Sequence, residues 1–201
     1  SEKLSRQFGF LQKRTILSIW ICTGASPFNF SPSRNTDNIK NPVLTAEDVT
    51  DIPAIFVADP FMVKENSTWY MFFEVMNALT DQGDIGFAVS SDGLNWSYKQ
   101  IVLDEPFHLS YPYVFKWNNE YYMIPESFEE NSIRLYKAID FPTKWKFEKS
   151  LLKGSPYIDS SIFNFDNKWG LFTSTRSDNL KLYYTNNLEG PWIKHPNNSP
   201  I

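Results

Sequence analysis

Cysteine is almost missing from this chain. Cys22 alone cannot close an internal disulfide, and no Cys-rich zinc site can be built from it. That fits a reducing compartment, and with no signal-peptide pattern at the N-terminus a cytoplasmic location is the expectation. Basic residues are not in excess: 19 Lys and Arg against 23 Asp and Glu leave a net charge of −4. The basic face that a phosphate backbone requires has no source, so nucleic acid is not an expected partner. The most apolar stretch, Ile16 to Ile21, falls far short of the roughly 18 residues of a membrane span, and a soluble chain without a transmembrane segment is expected. Glycine is scarce, with 8 residues, and neither a P-loop nor a Gly-x-Gly-x-x-Gly after a strand occurs, which leaves a nucleotide site unsupported. No His, Asp and Glu cluster has the spacing of a transition-metal site, so neither a metal nor a cofactor is expected. There is no sustained 3.6-residue apolar period, and 13 prolines are scattered along the chain, which argues against long helices.

What the chain has instead is aromatic residues, 17% of the total. They favour strands and flat apolar surfaces for sugar rings. They also recur. Ala58-Asp59-Pro60-Phe61 leads into Trp69-Tyr70-Met71-Phe72-Phe73-Glu74, Tyr111-Pro112-Tyr113 into Tyr121-Tyr122-Met123-Ile124-Pro125-Glu126, and Asp159-Ser160-Ser161 into Trp169-Gly170-Leu171-Phe172-Thr173-Ser174. Asp59, Tyr111 and Asp159 each stand ten residues before Trp69, Tyr121 and Trp169, and Glu74, Glu126 and Ser174 follow five residues later. An alternating strand comes next in each unit, and then a turn closed by Trp96, Trp145 or Trp192. Four short strands per unit, repeated at roughly 50 residues, match the blades of a β-propeller. The fold class expected is all-β, with about three blades near 59–106, 107–154 and 155–201. Residues 1–50 fit the repeat less well: Ile16 to Cys22 reads as a strand, and Ser26 to Pro42 as an extended connection.

In a blade the first two strands form a hairpin, so the start of the first and the end of the second lie at one level. That sets Asp59 beside Glu74, Tyr111 near Glu126 and Asp159 near Ser174. Because the innermost strands of a propeller all begin around one channel, these residues are expected to converge. His108 should point to the same mouth, and the loops after each second strand would add Arg176. Carboxyls gathered in a concave site suit glycosidic chemistry, in which one protonates the leaving oxygen and another activates water or attacks carbon. The competing reading has Asp59 and Asp159 bonding only turn or strand-end N–H groups. It makes Glu74 and Glu126 solvated strand ends and His108 a hydrogen-bonding structural residue.

The blade starts resemble those of glycoside hydrolase family 43, which implies a five-bladed propeller. In that family the Asp of the first blade is the general base, the Asp of the third adjusts the pKa of the acid, and the acid is a Glu of the fourth blade. Asp59 and Asp159 match the first two positions, and the acid's position would lie beyond Ile201, so by that pattern the chain is not a complete enzyme. A closer resemblance covers Trp20 to Ile201. Asn41-Pro42-Val43-Leu44-Thr45, Val57-Ala58-Asp59-Pro60-Phe61-Met62, Phe107-His108-Leu109-Ser110-Tyr111-Pro112, Met123-Ile124-Pro125-Glu126-Ser127 and Gly190-Pro191-Trp192 look like the propeller-like N-terminal domain of plant glucosamine inositolphosphorylceramide transferases and similar bacterial proteins. It implies glycan metabolism, with glycosyl transfer assigned to a separate domain.

The leading functional expectation is a carbohydrate-binding or accessory propeller acting in glycan or glycolipid glycosyl transfer. Its expected partners are a glycan or glycolipid, and a glycosyltransferase domain or missing propeller blades. An inverting glycosidase is the first alternative, with Asp59 activating water, Asp159 orienting the site and Glu126 standing in as acid; Glu74, His108, Tyr111 and Arg176 are the candidate substrate contacts. A propeller used only for protein contacts is the second.

Overall fold

The strands form where apolar side chains run on both faces of a segment, which is the pattern of a sheet buried on both sides. Met71-Phe72-Phe73 and Met123-Ile124 are completely buried in this way. A computed structural model describes residues 16–26, 28–32, 39–175 and 178–196. It holds three antiparallel four-stranded sheets, each in simple chain order. The first contains β3 (Ala54–Glu65), β4 (Thr68–Asn77), β5 (Gln82–Ser90) and β6 (Ser97–Leu103); two N-terminal strands, β1 (Cys22–Ser26) and β2 (Asn29–Pro32), pair with each other. The second contains β7 (Ser110–Trp117), β8 (Glu120–Glu126), β9 (Ser132–Asp140) and β10 (Lys144–Lys153), and the third β11 (Tyr157–Phe165), β12 (Lys168–Thr175), β13 (Asp178–Thr185) and β14 (Ile193–Lys194). The first sheet's inner strand thus begins at Ala54, ahead of Asp59.

Alternation along each second strand sends one side chain to the blade behind and the next to the blade in front. Phe72, Ile85 and Phe87 face forward and pack with Val114, Tyr121, Met123, Tyr136 and Trp145 of the second blade. Ile124, Ile133 and Leu135 face forward in turn and pack with Tyr157, Ile162, Trp169 and Leu171 of the third. The rear of the first blade, where Met71, Phe73, Val75 and Ala88 point, is covered by Ile19, Leu44 and Val49.

Turn chemistry sets the register. Asn118-Asn119 and Asp166-Asn167 each place two left-handed residues, φ 48° and 64° and φ 50° and 58°, between inner strands, the conformation that fits a two-residue hairpin to the strand twist. The closing tryptophans fold back over their turns: the indole N–H of Trp96 donates to the Gly93 carbonyl at 3.2 Å, that of Trp145 to Pro142 at 2.9 Å and that of Trp192 to Leu188 at 3.2 Å.

Residues 16–22 are not the regular strand read from their composition. Ile19 makes a single bridge with Leu44. The Asn41 side chain then brackets Ile21, accepting its N–H and donating to its carbonyl, both at 2.9 Å. A side-chain amide in the place of the next ladder pair ends the pairing, and the strand proper begins at Cys22 with β2 as its partner. Helical turns among the described residues are confined to Ala46–Asp48 and Phe128–Glu130. No helix among them is long and apolar enough to cross a membrane.

Candidate functional site

One irregularity occurs at the same place in all three inner strands. Between the pairs Ala58–Glu74 and Phe61–Phe72, Asp59 and Pro60 oppose Phe73 alone. Tyr111 and Pro112 oppose Pro125 in the second blade, and Asp159 and Ser160 oppose Thr173 in the third. Each is a β-bulge with one extra residue, and its first residue is left-handed: φ 52° at Asp59, 45° at Tyr111 and 48° at Asp159. A non-glycine residue held there costs roughly 1–3 kcal/mol, strain that concentrates at functional sites. The bulge turns the first residue out of the pleat and frees its N–H from the ladder. In the second and third blades the preceding blade supplies the acceptor. Tyr111 N–H donates to the Asp59 carboxylate, and Asp159 N–H donates to Glu126 Oε2 at 3.1 Å.

These links bring four carboxyls into mutual range. Burial, foremost, raises Asp59, with the Asp159 charge adding and the Tyr111 N–H opposing. Glu74, nearly enclosed within β4, is pushed up to about 8 by burial and then by the charges of Asp59 and Glu126. Glu126 is raised to about 7, first by burial and then by Asp159, which shares a hydrogen bond with it. Like charges in a half-buried site cannot all ionise together, so near neutral pH the group retains protons.

His108 stands against Glu74, with Nε2 3.5 Å from Oε1. Its other nitrogen is committed: Gly83 N–H donates to His108 Nδ1 at 2.9 Å, so the ring proton of the neutral form sits on Nε2, toward Glu74. Its main-chain N–H donates to Glu129 Oε2 at 3.1 Å, and its ring lies 5.9 Å from that of Phe128. Phe61 packs edge-on against Tyr111 at 4.7 Å, and the Tyr111 hydroxyl is 3.1 Å from Ser161 Oγ.

Of the residues singled out in the sequence, Asp59, Glu74, His108, Tyr111, Glu126 and Asp159 are brought together, whereas Arg176 lies outside the described residues. Gly83, Phe61, Ser161 and Glu129 were missed. Pro60 and Pro112, placed inside strands, were a signal for the bulges, because proline in a strand is confined to edges, starts and bulges. Among the described residues no group of three or more His, Cys, Asp or Glu could hold a metal ion.

The raised carboxyls carry a pH signature. A carboxyl whose pKa rises on folding binds its proton more tightly in the folded chain. Its contribution is complete below the unfolded value, 4.5 for Glu74, and is lost as the pH rises to about 8. Glu74→Gln is therefore expected to be more stable than the parent at pH 8, by a few kcal/mol at about 1.4 kcal/mol per pKa unit. The two should converge near pH 4.5. Urea unfolding across that range checks this, and an equal gain at both ends would contradict it.

Three blades that bring carboxyls of their first two strands to one mouth, Asp59 and Glu74, Glu126, and Asp159, form a propeller of the glycoside-hydrolase-like fold, and solved structures agree. An exo-β-1,3-galactanase from Phanerochaete chrysosporium superposes with a TM-score of 0.68 at 14% identity, over 90% of this chain and 44% of that one. A family 117 glycoside hydrolase of Zobellia galactanivorans gives 0.56 at 17%, over 71% and 55%. At these identities the likeness shows the fold, that of the five-bladed propeller glycoside hydrolases. The chain itself belongs to the family described as "Glucosamine inositolphosphorylceramide transferase 1, N-terminal", matched over residues 12–201. It is 41% identical over 194 residues to the glucosamine inositolphosphorylceramide transferase 1 of Oryza sativa subsp. japonica, and 38% over 200 residues to that of Arabidopsis thaliana. Those matches cover 87% and 90% of this chain and 26% of each relative, so the chain spans about a quarter of their length.

Proposed function

We propose that this domain binds a sugar unit of a glycan or glycolipid at the propeller mouth, in the service of glycosyl transfer carried out by another domain. The observation that carries the reading is the convergence of Asp59, Glu74, Glu126 and Asp159 on one mouth. With Tyr111 and Phe61 alongside, the mouth offers acceptors for hydroxyls and aromatic rings for a sugar face. The excess of carboxyls favours a sugar bearing a protonated amine, which relieves the repulsion that raises Glu74 and Glu126. The glucosamine in the relatives' name agrees in sign.

Calorimetric titration tests this with glucosamine, N-acetylglucosamine and glucose. Glucosamine is expected to bind most tightly, and its affinity to rise between pH 5 and pH 7 as the carboxyls ionise. Asp59→Asn should weaken it by about 1–3 kcal/mol, the scale of a buried hydrogen bond to a charge. Equal affinity for the acetylated sugar would remove the charge argument, and no affinity for any of the three would remove the reading.

A second reading is favoured by one observation: Glu126, raised to about 7, keeps a proton in a large share of molecules near neutral pH, as a general acid requires. An inverting glycosidase would then use Asp59 to activate water, Asp159 to orient the site and Glu126 as the acid. Release of reducing sugar, abolished by Glu126→Gln, would establish that reading over the first.

A further inference from the structure

The two blade junctions are closed differently at the end away from the mouth. At the first, three apolar side chains fill that end: Tyr70 of β4, Val89 of β5, and Phe141 of the second blade's closing turn. The Phe141 ring lies edge-on to Tyr70 at 4.9 Å and stacks on Tyr121 at 3.8 Å. The register places Tyr122, Lys137 and Leu188 at the corresponding positions of the second junction. Tyr122 pairs with Lys137 as Tyr70 pairs with Val89, and Leu188 follows Thr185 at the distance at which Phe141 follows Ala138. Leu in place of Phe removes a ring, and Lys in place of Val sets a charged head where an apolar branch stood. The Lys137 ammonium pairs with Glu120 Oε1 at 2.8 Å, and a cavity of about 170 Å³ opens between Trp117, Tyr122, Lys137, Glu148, Asn187 and Glu189.

We infer that this cavity is a second carbohydrate subsite, which holds one pyranose ring without acidic substituents. It lies at the opposite end of β7 and β8 from Glu126, so it stands independently of any sugar at the mouth. Its volume is below the roughly 300 Å³ at which sites for drug-sized ligands begin, and suits a single ring. Trp117 and Tyr122 supply an apolar wall whose position is fixed beforehand. Trp117 meets Trp169 edge-on at 4.8 Å, and Tyr122 stacks on Phe115 at 5.6 Å while its hydroxyl donates to Glu120 Oε2 at 3.0 Å. Little ordering is then needed when a ligand enters. Donors and acceptors for sugar hydroxyls surround that wall. The Lys137 ammonium carries three donors and gives Glu120 one. Asn187 Oδ1 accepts the Glu189 N–H at 3.1 Å, which leaves the amide NH2 to donate. Glu148 and Glu189 make no ion pair among the described residues and supply acceptors. With Lys137 and Glu120 cancelling, these two glutamates leave the cavity negative, which excludes phosphate, sulfate and uronate groups.

Nuclear magnetic resonance of the nitrogen-labelled chain, titrated with glucose, galactose, glucosamine and glucuronate, tests this. The Trp117 indole N–H resonance is expected to shift with at least one of the first three sugars, saturating in the millimolar range, and not with glucuronate. Leu188→Phe sets the ring of the first junction into the cavity and should raise the dissociation constant at least tenfold. Asp59→Asn, at the mouth, should leave it at the parent value. A Glu148→Ala/Glu189→Ala double variant, which alters only exposed side chains and so keeps the packing intact, should also weaken binding at least tenfold. A Trp117 resonance unmoved by all four sugars would overturn the assignment, as would an equal shift with glucuronate or one that survives both cavity variants. A shift lost in Asp59→Asn would overturn it as well, while leaving sugar binding at the mouth in place.

Discussion

Phe72→Ala is expected to cost about 3–5 kcal/mol, the range for truncating a fully buried aromatic. Phe72 is 0% exposed and sits at the junction of two blades. It is stacked on Phe87 at 5.9 Å within its own sheet and meets Trp145 edge-on at 5.5 Å and Phe141 at 6.0 Å across the interface. These rings are held by separate strands and by the closing turn of the second blade, so they cannot collapse together into the space left. Against a total stability of about 5–15 kcal/mol for an ordinary domain, that loss decides whether the first two blades stay joined. Urea denaturation followed by tryptophan fluorescence measures it. Phe165→Ala, on the exposed forward face, should by contrast change stability by no more than about 0.5 kcal/mol. A cost below about 1 kcal/mol at Phe72 would mean that the blades are not bound through this cluster.

Gly83→Ala is expected to empty the mouth without altering any ionisable group. A Cβ at Gly83 would fall on the Leu109 carbonyl oxygen, 2.9 Å from His108 Cε1 and 3.0 Å from Glu74 Oε1. Two hydrogen bonds cross at this point, Gly83 N–H to His108 Nδ1 and Leu109 N–H to the Gly83 carbonyl, both at 2.9 Å. The obstacle is backbone, so the segment that carries His108 into β7 must shift. Overpacking of this kind costs about 1–3 kcal/mol in stability. On the proposed sugar-binding reading the larger effect falls on binding, because His108 loses its hold beside Glu74, and affinity for glucosamine is expected to fall at least tenfold. Titration reads the affinity, and a histidine ring proton resonance reads the movement. If both stay at parent values the close approach is not a constraint on the site.

The repeat was legible because propeller blades leave marks at fixed offsets. Trp69, Tyr121 and Trp169 open the second strands, and Trp96, Trp145 and Trp192 close the blades. An indole that both packs and donates an N–H to a turn carbonyl is hard to replace by another residue. From those offsets the placement of Asp59, Tyr111 and Asp159 at one level followed directly. The N-terminal segment was less legible. Ile16 to Cys22 has strand composition, yet the side chain of Asn41, twenty residues away from Ile21 in the chain, takes the hydrogen bonds that a longer ladder would need. Neither local propensity nor spacing carries that information.

The sequence by itself determined the all-β class, the blade length and which residues stand at equivalent positions of the three inner strands, because strand alternation, turn residues and aromatic closures act over short stretches of chain. Only the tertiary structure decided the bulges and the chemistry at the mouth. The left-handed residues Tyr111 and Asp159 are each held by a carboxyl from the preceding blade. The raised pKa values of Glu74 and Glu126 come from burial and from charges brought close by the fold, such as Asp159, 33 residues along the chain from Glu126. Proximity of that kind arises when separate sheets pack around a common channel, and electrostatic energy depends on distance and burial rather than on order along the chain.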